Sequence, residues 1–161
     1  ILGQTHPELF AAVGVHSGLP YGSAHDIPSA LAAMKGGRGR AGNLAAAPPR
    51  ATQAVRTIVF HGDRDHTVQA SNGAEVARQA EAAHAARMGT APAAPQAEQG
   101  RRAGRRYTRA VQADAAGRPY LEVWTVHGAG HAWSGGSHEG SFTDPAGPDA
   151  SAEMVRFFLA P

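Results

Sequence analysis

The chain contains no cysteine in its 161 residues. Neither a disulfide nor a thiol nucleophile is available to it, and the redox compartment stays open. It also lacks any run of about eighteen apolar residues, so no helix is expected to span a membrane. Aromatic residues are scarce, at 6% against 42% hydrophobic overall, so the core must be packed from small aliphatic side chains. A metalloprotease His-Glu-x-x-His is absent. So is Gly-x-Ser-x-Gly, the turn that presents a hydrolytic serine. All eight serines fail that pattern on at least one side. There is no initiator Met and no visible signal segment. Ile1 opens in mid-pattern, which reads as a truncated start.

Present instead is enough chain for one domain with a real core. Neither a repeat nor a domain boundary interrupts it. The formal net charge is only +2, but arginine clusters at Arg101, Arg102, Arg105, Arg106 and Arg109. No aromatic interleaving or groove-reading motif accompanies the cluster. A solvated loop is expected there, and no nucleic-acid partner.

The most informative stretch is residues 57–68. Thr57, Ile58, Val59 and Phe60 are β-branched or aromatic and predict a buried strand. It stops at His61-Gly62, where glycine permits a sharp turn. Asp63 and Asp65 follow on the loop past the strand's carboxyl end, where open α/β sheets bind ligands. A carboxylate held rigidly there suits the orienting of a histidine. Further on, residues 120–126 predict a last core strand, followed by Gly128-Ala129-Gly130-His131, a loop whose glycines let the backbone present His131 tightly.

Around these, residues 10–15 predict a short buried strand ending at His16-Ser17-Gly18. Residues 28–35 predict a helix and residues 36–49 a surface connection. Residues 73–87 predict a helix capped by Ser71 or Asn72. Residues 88–106 show no periodicity and predict a long loop or disordered insert. Residues 107–112 predict a strand that forms a hairpin with 120–126. Residues 132–148 predict a glycine-rich loop, before a final helix with Met154, Val155, Phe158 and Leu159 on its apolar face.

His61-Gly62-x-x-Asp65-x-x-Val68 resembles the element carrying the triad acid in α/β-hydrolases. Joined to Gly128-Ala129-Gly130-His131-Ala132-Trp133, it resembles the poly(3-hydroxybutyrate) depolymerase esterases, relatives of feruloyl and acetylxylan esterases, over residues 1–158. The resemblance implies an α/β fold, the C-terminal portion of an α/β-hydrolase with a mostly parallel sheet and flanking helices. Residues 1–161 would be the C-terminal half of one catalytic domain, without the part that carries the nucleophile elbow. That absence would leave an exposed sheet edge.

The implied function is a serine esterase or depolymerase acting on polyhydroxyalkanoate or related acyl esters. This chain would supply Asp65 as acid and His131 as base, and alone would be inactive. The implied site of action is extracellular or periplasmic. Asp63 is the alternative acid, better suited to holding its own turn. Trp133 either lines an ester pocket or belongs to the core. Ser17 is a loop serine or a minor substrate contact. His127 reads as a strand-end packing residue, and His61 as a support under the acid loop. Neither cofactor nor metal is expected. A catalytically incomplete binding remnant is the first alternative. A metal site built from His127, His131 and His138 is the second.

Overall fold

A computed structural model describes residues 1–36, 54–89 and 93–160. Most of the expected connection over residues 36–49 therefore lies outside the described residues. The chain opens with a one-turn helix α1 (Leu2–Thr5) and a 3₁₀ turn (Pro7–Leu9). It continues through β1 (Ala12–His16), α2 (Ile27–Met34), β2 (Arg56–Gly62) and α3 (Ser71–Met88). Then come β3 (Gln96–Arg102), β4 (Arg105–Ala113) and β5 (Pro119–Val126). A short pair, β6 (Trp133–Ser134) and β7 (Thr143–Asp144), precedes α4 (Ala150–Leu159).

Five strands form one sheet in the order β1-β2-β5-β4-β3. The pairs β1–β2 and β2–β5 are parallel, while β5–β4 and β4–β3 are antiparallel. The expected mostly parallel sheet is thus corrected to a mixed one. The reason is a single hairpin chain: β3, β4 and β5 follow one another through tight turns, and tight turns join only antiparallel neighbours.

The two sheet faces alternate along β2 with period two. Ile58 and Phe60 join Trp124, Val126, Met154 and Phe157 in one buried cluster under α4. Val59 joins Ala80, Tyr120 and Leu121 in a second cluster under α3. Fully burying a side chain such as Phe157 contributes about 1.5–3 kcal/mol, and Phe157 is fully buried here. A buried carboxylate, Glu122, crosses the first cluster. It accepts from Arg109 at 2.8 and 3.0 Å and from Arg156 at 2.6 Å, tying β5 to β4 and α4.

Several local expectations change. Residues 88–106 are not a continuous loop, because Gln96–Arg102 is a strand. Its side chains are almost all exposed, so it pairs through its backbone and leaves no hydrophobic period to read. Asn72 does not cap α3. It lies buried one residue inside the helix and donates to the carbonyls of Ala33 at 3.0 Å and Gln69 at 3.1 Å, fastening α2 to α3. Residues 132–148 contain the β6–β7 pair as well as loop.

Candidate active site

Parallel strands β2 and β5 end level with each other, with Gly62 opposite Val126. The loops that follow are therefore neighbours. They are bound together by backbone bonds: Asp63 N–H to Val126 O at 3.2 Å and Arg64 N–H to Ala129 O at 3.0 Å. Gly62 permits this approach, since a Cβ there would collide with backbone atoms of Ala129 and Gly130. Two acids from one loop meet two histidines from the other.

Asp65 Oδ2 accepts from His131 Nδ1 at 2.8 Å. The carboxylate is fully buried, and His131 keeps about a third of its side chain exposed. Asp65 Oδ1 accepts the N–H groups of Thr67 at 2.9 Å and Val68 at 2.8 Å. Burial pushes this carboxyl up, but the bonds from His131, Val68 and Thr67 outweigh it and hold it below its ordinary value. An ionised Asp65 fixes the His131 proton on Nδ1. Nε2 then carries a free lone pair, with no hydrogen bond among the described residues.

Asp63 makes a second pair. It accepts from His127 Nδ1 at 2.8 Å and from Gly128 N–H at 2.7 Å. His127 Nε2 meets Thr108 Oγ1 at 2.9 Å. Its side chain is thus engaged in polar bonds at the strand end, which corrects the packing role expected for it. The two pairs are separate, and His127 and His131 point to different carboxylates. Among the described residues no group of three or more His, Asp or Glu is placed to hold a metal ion.

His61 lies under the acid loop. Its Nε2–H donates to Val68 O at 2.9 Å and stands 3.5 Å from Asp65 Oδ2. Its Nδ1 is buried without a partner among the described residues. Trp133 is 37% exposed and stacks on His16, with centroids 4.7 Å apart. Its indole N–H donates to Ser151 Oγ at 3.1 Å. Ser17 is buried at a left-handed φ of 50°.

His16 is a site residue that sequence reading missed. Ser134 N–H donates to its Nε2 at 2.9 Å, so its proton sits on Nδ1, 3.2 Å from Ser17 Oγ. It therefore cannot act as a base toward Ser17. Burial, then the neighbouring His61 and His131, lower its pKa from 6.5 to about 4 against the pull of Asp65. The only hint in the sequence was its place past a strand end.

These shifts have a sign. Between pH 6.5 and about 4 the unfolded chain binds a proton at position 16 that the folded chain refuses. Stability should fall as pH drops through that window. Asp65 and Asp63 both lie below 3.8 in the fold, so their contribution is full above that value and is lost as pH falls further, through the folded values. A His16 ring resonance that titrates near pH 4, together with urea midpoints that fall in both stages, is the expected outcome. A His16 midpoint near 6.5 would contradict it.

Fold and site together define a class: an α/β protein presenting acid–histidine pairs on loops past parallel strand ends. Residues 1–113 match the family described as Esterase PHB depolymerase, and the chain belongs to that family. It is an esterase-family protein at that level. No curated protein matches the chain. The family match corrects two expectations. It lies over the N-terminal and greater part of the chain, so the assignment of the chain, and of its fold, to a C-terminal half does not stand. The likeness expected over residues 1–158 is matched over residues 1–113. The matched segment includes Ser17 and Asp65, while His131 and Trp133 lie beyond it.

Proposed function

We propose that Asp65 and His131 are the acid and base of a carboxylic ester hydrolase. The supporting observation is the 2.8 Å bond from His131 Nδ1 to a buried Asp65, with about a third of the His131 side chain exposed and no partner for Nε2 among the described residues. Asp65 orients the imidazole and stabilises its protonated form. His131 Nε2 takes a proton from the attacking hydroxyl and returns it to the leaving alcohol. The nucleophile would be a serine forming an acyl-enzyme. We assign Trp133, which is 37% exposed, and Ser17 to substrate contact. Family likeness favours polyhydroxyalkanoate or related acyl esters, and action outside the cytoplasm.

The second reading is a binding protein that no longer turns over, favoured by the absence of a Gly-x-Ser-x-Gly serine from these residues. Ester hydrolysis by the complete gene product separates the two. In the first reading His131→Ala abolishes turnover, including its rise with pH. Equal turnover by the variant would remove His131 from the mechanism. A wild-type protein that binds ester and never hydrolyses it would establish the second reading.

A further inference from the structure

The β3–β4 hairpin concentrates positive charge beside the candidate site. A two-residue turn, Ala103 and Gly104, sets the register so that Arg101 faces Arg106 and Arg102 faces Arg105. Like charges directly opposite each other across a ladder repel. Two of the four arginines are answered within the protein. Arg102 meets Glu153 at 3.3 Å, and Arg105 meets Asp144 at 2.7 Å and Gly128 O at 2.9 Å. The Arg106 carbonyl accepts from His127 N–H at 2.8 Å, but the guanidinium groups of Arg101 and Arg106 have no hydrogen bond or ion pair among the described residues.

Both line a cleft of about 340 Å³ with Asp63, Arg64, Arg105 and His127. The one carboxylate in that lining already holds His127 and the Gly128 N–H. Asp63 and Asp144 together cannot offset the four lining arginines, Arg64, Arg101, Arg105 and Arg106, so the cleft keeps a net positive charge. Guanidinium groups present planar forks that match an oxyanion with two parallel bonds. The cleft is also built on the loops of the candidate active site. Asp63 precedes Asp65 by two residues, and Gly128 precedes His131 by three.

We propose that this cleft is a subsite for a carboxylate carried by the ester substrate, with Arg101 and Arg106 as its principal ligands. The proposal rests on the ester-hydrolase reading for what the carboxylate belongs to. The acyl carbonyl would lie at His131, and the free acid end of a hydroxy-acid oligomer would reach the cleft.

The test has a binding arm and a kinetic arm, both on the complete gene product. In the first, succinate and, separately, inorganic phosphate are titrated by calorimetry and by the His127 ring resonance. The proteins compared are the wild type, Arg101→Gln/Arg106→Gln, and Arg118→Gln as a charge control at a remote turn. Succinate should bind the wild type with a strong salt dependence. The double variant should weaken it about tenfold or more, the loss expected for two charge-assisted contacts, and Arg118→Gln should not. Failure of succinate to bind, or an equal loss in both variants, would overturn the proposal. Saturation by phosphate without succinate would make it a phosphate site and overturn the carboxylate assignment.

In the kinetic arm, a hydroxy-acid dimer with a free carboxylate is compared with its methyl ester. The double variant should raise KM for the free acid alone and leave kcat unchanged. Turnover that ignores the carboxylate would overturn the proposal. Succinate binding in a protein without any turnover would support the cleft and sink the ester-hydrolase reading instead.

Discussion

Replacing Asp65 with asparagine is expected to lower ester turnover by the complete gene product about 10⁴-fold while leaving the fold in place. The asparagine carbonyl can still accept the Thr67 and Val68 N–H groups that now bond to Oδ1. Its amide must then face His131 Nδ1, where the carboxylate oxygen accepts at 2.8 Å. Two donors would confront each other. The imidazole relieves this by moving its proton to Nε2, and a protonated Nε2 cannot serve as base. Loss of charge would also remove the stabilisation of the imidazolium that forms during reaction. Steady-state kinetics and the His131 tautomer, read from its nitrogen shifts, check both halves. Near-normal turnover with the tautomer unchanged would exclude Asp65 from the chemistry. The same substitution at Asp63 should act on His127 and leave the His131 tautomer alone.

Glu122→Ala is expected to be the most destabilising of the simple truncations, by about 3–5 kcal/mol. The carboxylate is fully buried, and its attachment to Arg109 and Arg156 joins three elements. Burial pushes its carboxyl up, and the two guanidinium groups more than reverse this. Removing it leaves both arginines with only their outer partners, Glu98 and Glu153. Arg109 also lies over the Trp124 ring, 5.6 Å from its centroid, and would hold an uncompensated charge against the core. In a protein of this size the loss corresponds to a fall in Tm on the order of 10 °C. Urea denaturation gives the direct measure. A change below about 1 kcal/mol would mean that the network adds little beyond packing. Turnover per folded molecule should survive, because Glu122 lies in the sheet interior and not on the site loops.

Much of the fold was legible because buried strands and amphipathic helices carry a period. The run from Thr57 to Phe60, the helix around Val76 and Ala80, and the strand around Leu121 and Trp124 all bury residues at regular spacing. Gln96–Arg102 was not legible for the same reason inverted. An exposed edge strand is held by backbone bonds that any sequence can make. Nor was the mixed character of the sheet, since strand direction depends on which neighbours a strand meets. The Asn72 tie between two helices likewise depends on where α2 comes to rest.

The site divides in the same way. By itself the sequence determined that carboxylates and histidines stand just past strand ends, because that follows from local pattern and glycine placement. Only the tertiary structure decided the partners. The level ending of β2 and β5 sets Asp65 on His131 and Asp63 on His127. The hairpin register sets Arg101 against Arg106. The close approach of β1 to β6 at Ser134 fixes the tautomer of His16. The two acid–histidine pairs and the Ser134–His16 bond join residues distant in the chain through contacts of about 3 Å. Local propensity acts over a few residues and cannot encode such distances, whereas strand register transmits them across the whole sheet.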